Sequence, residues 1–520
     1  MNYAKIDADG DFVRAKPESQ GIASGAIVRL IDGIKEANYD IHSLHIFRNG
    51  YLVAGGCAKP YEERGLRRIY STAKSVSSLA ILLAAQEGLL KLDDAIINYF
   101  PDMLPDVVSD DLASLKLFDL LIMSTGMKED GLEKYLLSNG QIEMARSFFS
   151  YEIVHKPGTE FFYNNAVPEM LGMVIQRLTG QTYVEYLTPR VLKPLGATFT
   201  VQQTPQGWLD GSTTVSTAHD LAKFSLLYLQ NGFWEGKQLI SPELIKLATT
   251  KHISTTGATK LDPMFHKKDE CGYGMQLWMN QYGGFRLVGA FGNIGMVIPE
   301  ENLAIVYTGM ETRDIDWLIN DTVLKNMKQG PIPENGSAKA DHLSMERRFS
   351  RWSTAPEGAA SNPSIEKRYD GKLFNVESNV HGITGISFGF SDKSLIVEQG
   401  KHRTVLLYGV DGDFAENPGS IKKTHKPQTV FGADPELSYI SACWIGNKFL
   451  FEIRHAADML TEFIEADFGE DKISMFSENT FERLRIFHGF GESSESTDGL
   501  DDTIYKAHRT YQCFLNADSR

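Results

Sequence analysis

Nothing at the start of this chain reads as an export signal. Met1-Asn2-Tyr3-Ala4-Lys5-Ile6-Asp7-Ala8-Asp9-Gly10 has neither a basic start nor an apolar core, so a cytoplasmic location is expected. Cysteine is scarce: Cys57, Cys271, Cys443 and Cys513 stand alone, with no CxxC pair. That argues against a disulfide framework and the common zinc spacings. No HExxH is present either, so neither a metal nor another cofactor is expected. Long hydrophobic runs are missing as well. The longest lies around Leu79 to Ala85, far short of the ~20 residues that span a bilayer, so no membrane partner is expected. Positive charge is in deficit, with a formal net charge of -15. An acidic chain repels phosphate backbones, which argues against nucleic acid as a partner.

What is present is ordinary globular material: 42% hydrophobic and 23% charged residues over 520 positions. That is too much chain for one core, so two or three domains are expected. Leu44 to Arg48 and Tyr51 to Ala54 flank Asn49-Gly50, the strongest short signal for a hairpin with a two-residue turn. A buried helix is expected from Ser75 to near Gly88, and further helices around Leu112 to Met123, Glu143 to Phe149, Val167 to Leu178 and Ala218 to Gln230. Gly180 stands where a helix C-cap glycine would. Strands return around Phe285 to Tyr307, with Pro299 to Asn302 as a turn. Strands at both ends with helices between imply one sheet built from both ends of a domain, interrupted by a helical insertion. Residues 329–367 read as a linker, rich in Pro, Gly, Ser and charge. Short apolar runs from Leu373 to Phe476 then follow at close spacing, the pattern of a small antiparallel sandwich or barrel. Residues 491–520 read as a mobile acidic tail.

Three residue groups could carry chemistry. In Ser71-Thr72-Ala73-Lys74 the i, i+3 spacing puts a hydroxyl and an amine on one helix face. A serine needs a neighbouring base to attack a carbonyl. A lysine serves only when neutral, which near pH 7 needs its pKa lowered by roughly 3 units through its surroundings. The spacing alone is unspecific, because Ser364 to Lys367 and Ser420 to Lys423 repeat it. Only Ser71 precedes an apolar helix. Tyr163 and Asn165, two apart before the next helix, can point one way as proton shuttle and hydrogen-bond partner; alternatively Asn165 simply caps that helix. The glycines of Phe285 to Asn293 mark a strand approached closely by other backbone, able to donate an N–H to an oxyanion, or an ordinary glycine-containing strand. His219-Asp220 reads as a helix start, and Tyr273 and Trp278 as cleft lining or core.

Taken together and in this order, these groups resemble the serine β-lactamase and penicillin-binding superfamily. The likeness is to its class C β-lactamase-like branch, which includes esterases, D-aminopeptidases and 6-aminohexanoate-dimer hydrolase. The Tyr163/Asn165 pair is similar to that branch's YxN. Leu120 to Met127, Pro157 to Phe161, Ser216 to Phe224, Gly272 to Gly274 and Gly289 to Asn293 resemble its flanking segments. The likeness covers roughly Ser19 to Lys328.

The resemblance implies an α+β fold: an antiparallel sheet flanked by helices, with a helical subdomain, over residues 1–328. It implies a serine hydrolase that forms an acyl-enzyme on Ser71, with Lys74 and Tyr163 sharing the general-base task and Asn165 orienting Lys74. The oxyanion would lie between the backbone N–H groups of Ser71 and Asn293. The branch's third motif, K-T-G or H-x-G, aligns with Ala290-Phe291-Gly292, where Ala290 replaces the polar residue; Arg286 is the candidate to supply a nearby charge. That departure favours a small-molecule ester, amide or D-amino-acid peptide over a β-lactam. The alternatives are a non-catalytic penicillin-binding-like ligand-binding protein or a weak β-lactamase. Residues 368–490 resemble the lipocalin-like β-barrel domain appended to some of these hydrolases.

Overall fold

The computed structural model describes residues 3–132, 134–135, 138, 142–258, 267–377, 382–418, 437–455, 461–469, 472–479 and 509–515. The chain divides into two compact units: residues 1–56 with 68–350, and residues 57–67 with 351–520.

The first unit is built on a six-stranded antiparallel sheet in the order β2-β1-β11-β10-β9-β8. Here β1 is Ile41–Arg48, β2 Tyr51–Cys57, β8 Trp278–Met279, β9 Phe285–Gly289, β10 Asn293–Ile298 and β11 Leu303–Gly309. The β1–β2 hairpin turns at Asn49 and Gly50, both with positive φ (52° and 84°), as a tight two-residue turn demands. β1 pairs with β11, Ile46 opposite Ile305, so the two ends of the unit close one sheet. β1 is buried along its whole length, which requires cover on both faces. Helix α5 (Ala218–Leu229) packs on β10 and β11. On α6 (Asp316–Thr322), Asp316 accepts the Tyr307 hydroxyl from β11 at 2.8 Å.

Between β2 and β8 lie the helices that carry the candidate chemistry. α2 (Thr72–Gln86) is buried from Thr72 to Ala84, which explains its near-uniform apolar sequence: it is a core helix with no solvent face. α3 (Ala166–Thr179) packs against it and ends at Gly180, φ 72°. α4 (Tyr183–Leu187) follows. A small sheet in the order β3-β5-β4 (Arg67–Arg68, Leu209–Ser216, Thr200–Gln203) and the β6–β7 hairpin (Phe233–Trp234, Lys237–Gln238) complete this region. The helix expected over Leu112 to Met123 is two short ones, Asp110–Ser114 and Leu117–Leu121. Each starts on its own backbone-capping side chain: Ser109 Oγ accepts from Leu112 N at 3.2 Å, and Asp119 accepts from Lys116 N at 2.9 Å.

The segment read as a linker is instead partly helical. α7 (Gly336–Ser350) packs on α1 (Ser24–Glu36), extending the first unit to residue 350. Its polar composition misled because only Met345 of this helix is buried.

The second unit is a ten-stranded antiparallel sheet in the order β15-β14-β13-β12-β21-β20-β19-β18-β17-β16. Strands β12 (Leu373–Val376), β13 (Gly385–Gly389), β14 (Ser394–Gln399), β15 (His402–Leu407), β17 (Leu437–Ile445), β18 (Lys448–His455) and β20 (Lys472–Asn479) fall on the apolar runs of the sequence. Phe374, Phe388, Tyr408, Trp444, Phe449, Phe451 and Phe468 fill its core. Two strands lacked such a run: β16 (Ala415–Pro418) and β19 (Thr461–Phe468), with its three acidic residues. The segment read as a tail also differs. β21 (Arg509–Leu515) lies inside the sheet, between β12 and β20. Residues 480–508, which span the expected end of the β-domain and much of the tail, lie outside the described residues.

Candidate active site

Ser71 is the residue that opens α2, and Tyr70 before it adopts φ 48°. A bulky residue in the left-handed region is a backbone outlier held by its surroundings. Three residues on, Lys74 returns over the first turn, and its Nζ lies 2.7 Å from Ser71 Oγ. Lys74 as a whole is buried, at 9% exposure. It also donates to Asn165 Oδ1 at 3.1 Å. Tyr163 approaches from the loop before α3, with Lys74 Nζ 5.1 Å from its ring centroid. Trp278 stacks on that ring at 5.8 Å. Trp278 and Tyr273 are buried, so they back the tyrosine as core.

The two asparagines before α3 divide their work. Asn164 Oδ1 accepts from Ala166 N at 2.9 Å and Gly131 N at 3.3 Å, satisfying the local backbone. Asn165 makes no side-chain cap, so the capping reading does not hold for it. Its Nδ2 donates to Asp130 Oδ2 at 2.8 Å, and its backbone N–H donates to the same oxygen at 3.0 Å. Asp130 went unnoticed in the sequence, where no motif marks it.

Glu169 was missed as well. It lies four residues after Asn165 on α3, hence one turn along the same face. It is buried, and Gly211 N–H donates to its Oε1 at 3.0 Å. Burial, with the nearby charge of Asp210, pushes its carboxyl up to about 8, while Lys74 and the Gly211 N–H pull it down. At neutral pH Glu169 is therefore mostly protonated.

The sheet reaches the nucleophile through β9. A Cβ on Gly289 would stand 2.3 Å from Ile69 O and 2.5 Å from Thr72 Oγ1, so only glycine lets the strand touch the segment carrying Ser71. The Thr72 hydroxyl donates to Asn293 O at 2.8 Å, joining α2 to β10. Asn293 Nδ2 donates to Ala290 O at 2.9 Å, so its side chain closes the β9–β10 turn. Ala290, Phe291 and Gly292 form that turn, where the Phe291 ring meets Tyr70 edge-on at 5.4 Å. The glycine against Ser71's segment is thus Gly289, three residues before the Gly292 of the sequence alignment.

Arg286 is a correction. It is fully buried, donating to Asp316 Oδ2 at 3.0 Å and Asp269 Oδ1 at 2.7 Å. Two carboxylates hold it charged and consume it, so it offers nothing to a substrate. One residue along a strand reverses the side-chain direction, which puts Arg286 on the α6 face and Gly289 on the α2 face. His219 lies buried in α5 with its ring 4.5 Å from Phe12, a packing role.

The beta-lactamase family profile matches residues 13–313, more than half of the chain. This chain belongs to the beta-lactamase family. The matched residues include the six-stranded sheet and helices α1 to α5. The protein flp of Staphylococcus aureus (strain MW2) is 34% identical over 130 residues, 24% of this chain and 26% of that protein. The chain thus spans about a quarter of the length of the curated relatives it matches first. Among solved structures, a family VIII carboxylesterase aligns with TM-score 0.45 at 14% identity, covering 65% of this chain and 98% of that one. A D-stereospecific amidohydrolase from Streptomyces aligns with TM-score 0.43 at 16% identity, covering 57% and 98%.

Proposed function

We propose that this chain is a serine hydrolase that cleaves an ester, amide or D-amino-acid peptide bond through an acyl-enzyme on Ser71. The observation that carries this reading is the 2.7 Å contact between Lys74 Nζ and Ser71 Oγ, made by a buried lysine. With the amine neutral, the same distance carries the reverse bond, Ser71 O–H donating to the Lys74 lone pair. The amine takes the proton as Oγ attacks the carbonyl carbon. Tyr163 assists in passing it to the leaving group, which departs with the proton. Water then attacks the acyl-enzyme by the same route in reverse. The Ser71 N–H at the start of α2 supplies one oxyanion donor. The second comes from the β9–β10 turn at Ala290 to Asn293, beside the glycine contact with Thr72.

Neutral substrates fit best. Arg286 is held by Asp316 and Asp269, and Leu287, Val288, Gly289 and Ala290 offer no cation for a substrate carboxylate. We also read the second unit as a closed, lipocalin-like barrel. In support, Asn417 of β16 bridges to β15, accepting from Leu407 N at 2.7 Å and donating to Leu407 O at 2.9 Å across the two sheet edges.

The test combines fluorophosphonate labelling with a panel of p-nitrophenyl acyl esters, D-amino-acid amides and a chromogenic cephalosporin. Labelling confined to Ser71 and lost in Ser71→Ala, with ester or amide turnover above cephalosporin turnover, is expected. Folded protein that neither labels nor turns over any substrate would leave ligand binding as the function.

A further inference from the structure

A carboxamide is two-faced: its oxygen only accepts and its nitrogen only donates. Which end of Asn165 faces Lys74 therefore decides what the amine can do. Asn165 presents Oδ1 to Lys74 Nζ at 3.1 Å and Nδ2 to Asp130 Oδ2 at 2.8 Å. Turning the amide over would set its oxygen against a carboxylate oxygen at that separation and its NH2 against the N–H bonds of the amine. Both contacts would become repulsive. Asp130 also accepts the Asn165 backbone N–H at 3.0 Å through the same oxygen, so it grips side chain and main chain together. Its other oxygen accepts from Leu132 N at 3.0 Å, which fixes the carboxylate within its own loop.

A neutral lysine amine has two N–H bonds and one lone pair. With one N–H committed to Asn165 Oδ1, rotation about the Cε–Nζ bond is restricted, and the lone pair can settle toward the Ser71 O–H, whose oxygen lies 2.7 Å away. We propose that Asp130 is a positioning residue of the hydrolase site: it fixes the direction of the Asn165 carboxamide and, through it, the aim of the Lys74 lone pair at Ser71. Asp130 touches neither reacting atom. Its effect runs through Asn165 alone, and the proposal rests on the acyl-enzyme reading above.

The experiment is a double-mutant cycle on p-nitrophenyl acetate hydrolysis, with kcat and KM measured for the full chain, Asp130→Ala, Asn165→Ala, the double variant and Asp130→Asn. Misaligned proton transfer is expected to lower kcat of Asp130→Ala by about 10- to 100-fold, with KM held within about threefold. In the Asn165→Ala background the same change is expected to add less than about twofold, because the group it acts through is gone. Asp130→Asn, whose amide oxygen can accept both N–H bonds, is expected to return to within about fivefold of the parent. Should Asp130→Ala not fold, Asp130→Ser takes its place, since its hydroxyl is too short to reach the amide. Unchanged kcat in Asp130→Ala, effects that multiply in the double variant, or Asp130→Asn as slow as Asp130→Ala would each overturn the proposal. Fluorophosphonate labelling of the parent separates the two readings. No label on Ser71 removes the hydrolase reading and this proposal with it, whereas a labelled parent with an indifferent Asp130 removes only the positioning role.

Discussion

Glu169→Gln isolates the electrostatic cost of a buried carboxyl beside the candidate site. The Glu169 carboxyl, at 4.5 in its ordinary state, is pushed to about 8 in the fold. Between those values the folded protein keeps a proton that the unfolded chain has released. Stability therefore falls as pH rises through this window, and levels off above it. At ~1.36 kcal/mol per unit, the interval is an upper bound of roughly 5 kcal/mol by pH 8. Relaxation around the new charge lowers this, so at least about 2 kcal/mol is expected. Glutamine does not ionise, yet it keeps an oxygen for the Gly211 N–H, which lies 3.0 Å from Oε1. Urea unfolding at pH 5, 6.5 and 8, followed by fluorescence of the buried Trp208 and Trp278, reads the difference directly. Glu169→Gln is expected to gain on the parent steadily from pH 5 to pH 8 and then stay level. A difference that is the same at pH 5 and pH 8, or a parent more stable than the variant at pH 8, would refute the reasoning.

Lys74→Ala is expected to slow ester hydrolysis at least ~10²-fold while the protein stays folded; near-normal steady-state rates would take the lysine out of the mechanism. Gly289→Val places a side chain where Ile69 O and Thr72 Oγ1 already stand 2.3 Å and 2.5 Å away. Separating β9 from the nucleophile segment is expected to lower kcat/KM by at least about tenfold; an unchanged kcat/KM would show that the close contact is dispensable. Arg286→Met leaves Asp269 and Asp316 buried without their shared partner, so a loss of about 3 kcal/mol or more is expected in denaturant unfolding. KM for a carboxylated ester should not change, whereas a selective rise in that KM would return Arg286 to the substrate.

Much of the first unit was legible because its signals are local. Asn49-Gly50 names its turn by the positive φ it tolerates, Gly180 names a helix end, and the apolar run after Ser75 can only be a buried helix. Ser71, Lys74, Tyr163 and Asn165 were singled out by spacing and order, and the fold brings Lys74 Nζ within 2.7 Å of Ser71 Oγ and 3.1 Å of Asn165 Oδ1. The second unit was legible where a strand carries its own apolar run. It was not legible at β19, whose acidic residues hide its pairing, or at β21, which looked like part of a tail yet lies between β12 and β20.

The sequence by itself determined which helix holds Ser71 and Lys74, because i, i+3 geometry and burial are written into one continuous segment. Only the tertiary structure decided what stands behind them. Asp130, Glu169 and Gly289 belong to three distant stretches, and nothing local distinguishes Asp130 or Glu169 from any other carboxylate. Arg286 was misjudged for the same reason: whether a charge is free or consumed depends on Asp269 and Asp316, which only folding brings within hydrogen-bonding distance of it.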